Sequence, residues 1–260
     1  MRRALALASL FAAWVAAATP AHAERMVISI SRHQVLVTSS FTGTSIVLFG
    51  TIEPDTPGGR RSASSYDLVV TLIGPRETVV MRRKERVLGI WANVASRDFV
   101  NVPSYLVVLA NKPFDQITNP DMLRRLQIGH DYFSLPQQIG PDVADVVRDD
   151  PMRANFIRLQ KEHGLYAERT NGVTFLTPTV FRAEIPVPAL APFGAYDVRV
   201  KLFAATNELA QSTTAFEVVK VGFEQFIANA ARDYGVLYGI ATVMMAMLTG
   251  WFASVVFRKD

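Results

Sequence analysis

The densest group of chemically capable residues is Arg82-Arg83-Lys84-Glu85-Arg86, with Arg76 upstream of it. Guanidinium and ammonium groups this close together can hold a small anion, an acidic partner or lipid headgroups through charge-assisted hydrogen bonds. On an extended strand Arg82, Lys84 and Arg86 share one face and Arg83 takes the other. The plainer reading of the same pattern is a charged edge strand that discourages edge-to-edge pairing. Arg76, Arg82, Lys84 and Arg86 are therefore the candidate anion or partner contacts. Nearby, Gly89-Ile90-Trp91-Ala92-Asn93 and Pro103-Ser104-Tyr105 can form a surface with an aromatic floor. Large aromatics mostly sit inside, so Trp91 and Tyr105 are expected in the core.

Other residue types give less. Beyond a leader, the histidines are His33, His130 and His163, with no i, i+3 or i+4 partner among them. His130-Asp131 is the nearest His–carboxylate pair, and the commoner role for such a histidine is a surface or satisfied one. The chain has no G-x-S-x-G, S-x-x-K, Walker loop or dinucleotide fingerprint. Asp142, Asp145, Asp149 and Asp150 are expected to form a solvated acidic helix face. The chain has no cysteine. In an oxidising compartment that excludes disulfides, thiol catalysis and thiolate metal sites. No catalytic, cofactor or metal residue is assigned, and an enzymatic role is not expected.

These residues hang between two apolar ends. Residues 1–23 combine Arg2 and Arg3, an apolar run from Leu5 to Ala18, and the small-x-small sequence Ala21-His22-Ala23. This is the pattern of a secretory signal peptide. Residues 235–257 form an uncharged apolar run. At ~1.5 Å per residue it is long enough for a hydrocarbon core of about 30 Å. Arg258 and Lys259 follow it, so the positive-inside bias leaves a tail, 258–260, in the cytoplasm and the bulk of the chain in the periplasm. A tail of that length is not expected to carry a signalling domain. Removal of the leader takes away two arginines, and the formal charge falls from +4 to +2. That charge and an exported location argue against a nucleic-acid partner.

Between the ends, residues 24–116 read as a first β-sandwich region: short β-branched runs separated by turns, with a Pro/Gly/Ser-rich loop at 53–65. Tyr66 to Ile73 is almost continuously apolar, which predicts a strand buried on both faces. Residues 117–164 read as a helical insert. Asn119-Pro120-Asp121 starts one helix, and Asp142 to Lys161 carries helical spacing interrupted near Pro151, with Gly164 as its C-terminal stop. Residues 165–220 form a second β-sandwich region. There Phe181, Ala183, Ile185 and Val187 alternate with Arg182 and Glu184, and Tyr196, Val198, Val200 and Leu202 alternate with Asp197, Arg199 and Lys201. The sequence Pro192-Phe193-Gly194-Ala195-Tyr196 is of a kind found in immunoglobulin-like sandwiches. The expected fold is mainly β: an immunoglobulin-like β-sandwich region, one extended or two small sandwiches, with a helical insert. Residues 221–234 read as an amphipathic juxtamembrane helix. The final helix, 235–257, places Gly235, Gly239, Thr242, Ala246, Gly250 and Ala253 along one face, a candidate interface for close helix approach.

Five stretches taken together carry a family resemblance: 41–50, 73–93, 102–117, 192–203 and 219–239. They resemble the transmembrane protein family described in alphaproteobacteria, whose layout is signal peptide, periplasmic domain and single C-terminal span. That family has no assigned activity, so the resemblance brings no catalytic residues. It implies a bacterial inner-membrane protein, and the encoding of such proteins near sulfite-exporter-type permeases suggests a membrane partner without identifying it. The expected role is thus a membrane-anchored accessory or scaffold protein without a cofactor. Its partners are membrane lipid and either another inner-membrane protein or a second copy through the span. A binding module for a small anion or acidic partner, built on Arg82–Arg86, is the alternative.

Overall fold

Turn residues and β-branched runs shape most of the chain in the computed structural model, which describes residues 24–53, 66–145, 150–222, 227 and 231–256. The expected leader, nearly all of the 53–65 loop, most of the juxtamembrane helix and the 258–260 tail lie outside the described residues. Two sheets pack face to face. The smaller has the order β1 (Arg25–Ile30), β3 (Gly43–Glu53), β12 (Val180–Pro188), β11 (Val173–Phe175), all antiparallel. The larger has six strands in the order β10 (Tyr166–Arg169), β7 (Leu106–Ala110), β4 (Asp67–Ile73), β13 (Gly194–Ala204), β14 (Asn207–Lys220), β2 (Gln34–Val37).

The two sequence regions form one sandwich, because their strands interleave: β12 pairs with β3, and β13 pairs with β4. A single apolar cluster joins Ile46, Leu48, Leu68, Val70, Phe181, Ile185, Val198 and Val200 across both sheets. The alternation read in the sequence is the cause. Phe181, Ala183, Ile185 and Val187 are all buried while Arg182 and Glu184 pair outside, and Tyr196, Val198, Val200 and Leu202 are buried in β13. The outer edges depart from the antiparallel sandwich that the turn spacing predicts. β10 runs parallel to β7, and β2 runs parallel to β14.

β4 is buried on both faces, as its continuous apolar run requires. Leu68, Val70 and Leu72 point into the sandwich. Val69 points the other way, onto Ile117, Leu123 and Ile128. Those residues lie on or beside two short helices, α1 (Phe114–Ile117) and α2 (Pro120–Leu126). The Asn119 side chain caps α2 by accepting from the Met122 amide at 2.8 Å, with Pro120 in the first turn.

The helical insert is only partly helical. Residues Asp142–Asp145 are a strand, β9, paired with β8 (Pro136–Ile139), so the helix expected to begin at Asp142 begins at Pro151 instead. That helix, α3 (Pro151–Glu162), is capped by Asp150 and ends in a Schellman motif: Leu165 N–H reaches the Gln160 carbonyl and Gly164 N–H the Lys161 carbonyl. Gly164 takes a positive φ of 71° there, which is why glycine serves as the stop.

Tyr196 closes one end of the sandwich. Its hydroxyl donates to the Pro192 carbonyl at 2.6 Å, its ring stacks on Phe216 at 5.0 Å and meets Tyr105 edge-on at 5.8 Å. Burial pushes the Tyr105, Tyr166 and Tyr196 phenols well above their ordinary range, so all three act as neutral hydrogen-bond donors.

Candidate interaction surface on a long hairpin

The basic run and its aromatic neighbour lie on one hairpin. β5 (Arg76–Val87) and β6 (Ile90–Pro103) are joined by two residues, Leu88 and Gly89, both with positive φ (50° and 87°). This is the backbone of a two-residue hairpin turn whose twist matches its strands. The hairpin is a direct extension of the sandwich. Ile73 faces Leu106, the Gly74 amide donates to the Tyr105 carbonyl at 2.8 Å, the Ser104 amide donates to the Pro75 carbonyl at 2.8 Å, and Arg76 faces Pro103. The β4–β7 ladder therefore runs on into β5–β6 without changing partners.

Its root is packed and its distal half is not. Val79, Met81, Phe99 and Val102 join Phe133, Leu135 and Phe156 in a second core, where Phe99 stacks on Phe156 at 4.5 Å. β8 pairs with β6 at Asp98 and Phe99. Beyond that point β5 and β6 pair only with each other among the described residues, and β5 is an edge of its sheet. On this free part Leu88 is 99%, Ile90 73% and Trp91 72% exposed. Trp91 is thus not the core residue that its size predicts, whereas Tyr105 is.

Register decides which side chains share a face. Arg82 faces Ser96, Lys84 faces Asn93 and Arg86 faces Trp91, so the three cations expected together do line one face, and Trp91 joins them. A bulge between Arg83 and Lys84 leaves Val94 without a direct partner and turns the distal segment. The other face carries Val87 opposite Ile90, and Arg83 held to Glu85 at 3.0 Å. Among the described residues, no ion pair joins Arg82, Lys84 or Arg86 to an acid. Arg76 stands apart. It sits at the root and donates to the Asn101 carbonyl at 2.8 Å.

The other candidates have local jobs. His130 is buried. Its Nε2 lies 3.3 Å from the Leu106 carbonyl, its backbone N–H donates to Glu168 at 2.6 Å, and Glu168 stands 3.6 Å from Nδ1. Desolvation pulls the His130 pKa below its ordinary value, against the opposing charge of Glu168. His33 is exposed, with Nδ1 3.4 Å from the Ala215 carbonyl, and His163 caps the end of α3. The acidic group does not form a helix face. Asp142 and Asp145 are on β9, Asp145 pairs with Arg153 at 3.5 Å, and Asp150 binds Arg97 at 3.0 Å and Gln137 at 3.2 Å; Asp149 lies outside the described residues. Among the described residues no three His, Asp or Glu side chains gather as a metal site. A groove of about 330 Å³ beside β11 is lined by Arg169, Gly172, Thr174, Arg182 and Glu184, and its Arg182 is already bound to Glu184.

The last helix, α4 (Gly235–Val256), is the one described helix long and apolar enough to cross a membrane. At 100° per residue, Gly235, Gly239, Thr242, Ala246, Gly250 and Ala253 fall within an arc of roughly 80°. A Cβ added at Gly235, Gly239 or Gly250 meets nothing within 4 Å. The Thr242 hydroxyl is satisfied inside the helix by the Tyr238 and Gly239 carbonyls at 3.1 and 2.8 Å.

Sequence reasoning named the basic residues and, apart from them, a surface containing Ile90 and Trp91, but missed Leu88 and the hairpin that joins the two. The signal was present: a glycine one residue into an apolar run that follows a long charged strand marks a turn.

Comparison with known proteins gives one family. The family described as "Putative transmembrane protein (Alph_Pro_TM)" matches residues 25–259. No curated protein matches. Among solved structures, the N-terminal domain of the Streptococcus gordonii adhesin Sgo0707 aligns with 75% of this chain and 32% of its own, at 10% identity and a TM-score of 0.26.

Proposed function

The chain belongs to this transmembrane protein family, and from that membership we propose a membrane-anchored accessory or scaffold protein without catalytic activity of its own. The span holds a β body at the bilayer, in the orientation that the apolar ends predict: body in the periplasm of a bacterial inner membrane, C-terminus in the cytoplasm. The partner is another protein of the same membrane, such as a transporter, met by the small-residue face of α4.

One observation carries the reading: the long hairpin and the chain that leads on to the span leave from the same end of the sandwich. Ile73, the last residue of β4, is level with Asp197 near the start of β13, and Gly194 there is level with Val218 near the end of β14. The hairpin continues from Ile73, and the chain continues from Lys220 towards α4. A body built this way presents its largest projection on its anchored side. The shared face of Arg82, Lys84 and Arg86 favours a second reading, binding of a small anion.

Co-purification in mild detergent separates these readings. A stoichiometric membrane protein supports the first, a bound small anion the second, and a self-only oligomer removes the first. Gly239→Leu with Gly250→Leu is expected to leave insertion intact and lower crosslinking to the partner several-fold. Unchanged crosslinking moves the contact from the span to the body.

A further inference from the structure

We propose that the tip of the β5–β6 hairpin is a second membrane contact. Leu88, Ile90 and Trp91 enter the interfacial layer of the bilayer crossed by α4, and Arg82, Lys84 and Arg86 bind its anionic headgroups. The inference rests on the anchorage proposed above and not on the existence of a protein partner.

Four observations converge on it. First, the apolar tip has no use within the fold: Leu88, Ile90 and Trp91 are each more than 70% exposed at the end of an otherwise charged arm. Second, Leu88 holds a left-handed backbone at φ 50°. Asn or Gly fits that position without strain, whereas a branched apolar residue there is costly. A turn selected for folding alone has no reason for leucine; a turn that must enter lipid does. Third, the order along the arm matches the depth profile of a membrane surface. Leu88 is outermost, the Val87–Ile90 pair follows on the other face, Trp91 and Arg86 come after it as cross-strand neighbours, and Lys84 and Arg82 follow at two-residue steps. Tryptophan favours the headgroup level, and basic side chains favour anionic headgroups just outside it.

Fourth, the reach is right. β5 has 12 residues from its root at the sheet end, about 40 Å at ~3.3 Å per residue. From Lys220 to the start of α4 at Gly235 the chain has a contour of at most roughly 50 Å. An arm of that reach and a tether no longer than that contour, and shortened where residues 227 and 231–233 are helical, start from the same end of the sheet and can meet one plane together.

The native chain lacks cysteine, so a single probe site can be introduced cleanly. Full-length Leu88→Cys and Asn207→Cys, the latter exposed at the opposite end of the six-stranded sheet, are labelled with an environment-sensitive fluorophore. Each is reconstituted in phosphatidylcholine vesicles with or without about a third phosphatidylglycerol. The expected result is quenching of the Leu88 probe by headgroup-depth nitroxide lipid, protection from aqueous iodide, and neither effect at Asn207. Adding Arg82→Glu, Lys84→Glu and Arg86→Glu is expected to reduce the lipid quenching about fivefold in the anionic vesicles. Equal iodide access at the two sites overturns the proposal, as does disulfide formation between unlabelled Leu88→Cys copies in place of lipid contact. A tip that stays in water while a membrane protein co-purifies removes this proposal alone.

Discussion

Leu88 and Gly89 share a left-handed turn, but only Gly89 adopts it without steric cost. Leu88→Asn keeps the turn geometry, supplies a short polar side chain whose local hydrogen bonding offsets the cost of the left-handed backbone, and removes an apolar side chain that touches water. It is expected to raise unfolding stability by about 0.5–1 kcal/mol in urea denaturation while weakening vesicle contact, an opposition that a purely structural residue does not produce. His130 sets a different residue-scale balance. Lys161 and Asp131 act on it along with Glu168, but burial dominates and keeps the folded ring neutral. The unfolded chain then binds a proton more readily than the folded one. Stability is full above the ordinary value of 6.5 and is lost as pH falls below it towards the lowered folded pKa. His130→Gln is expected to flatten that acid limb, measured as the change in Tm between neutral and mildly acidic buffer.

Asp150 shows how elements depend on one side chain. It caps α3 through the Met152 amide at 3.2 Å, holds Arg97 of β6 at 3.0 Å and accepts from Gln137 of β8 at 3.2 Å. Asp150→Ala thus loosens a helix start and the hairpin root together, at an expected cost of about 2–3 kcal/mol in urea denaturation. The element-level record also shows what a sequence discloses. β12 and the first half of β13 were legible because one face is buried and the other wetter, which writes a period of two into the residues; beyond Val200 both faces of β13 are covered, and Lys201, read as outward-facing, is buried against Glu208 and Gln211. β4 was legible because both its faces are covered. β9 was not: Val143 and Val146 satisfy a helical spacing, while Pro136–Ile139, the partner that makes a strand of Asp142–Asp145, lies across a turn. Trp91 was misplaced because size predicts burial only where there is a core to enter, and the distal hairpin has none. The candidate cations were legible as a face, since alternation on a single strand is local. Their alignment with Trp91 was not, because it depends on cross-strand register and a bulge.

At the scale of the whole molecule, one sandwich is made from strands drawn from both ends of the chain, followed by one described helix able to span a membrane. The parallel edge is what ties those ends together. β2 sits beside β14 with Gln34 level with Glu217 and Val37 level with Lys220, and the Val221 amide donates to the Val37 carbonyl at 2.9 Å. One of the first strands made therefore waits for the last one, across a sequence separation of 183 residues. Contacts this distant form slowly, because the loop entropy must be lost before any pairing returns it. As the polypeptide emerges from its N-terminus, β2 has no partner until β14 is out, and α4 follows shortly after. Completion of the sandwich and arrival of the span become nearly one event in time. Until then the unpaired edge of β2 is open to the wrong partners, which makes late synthesis the vulnerable moment for misfolding.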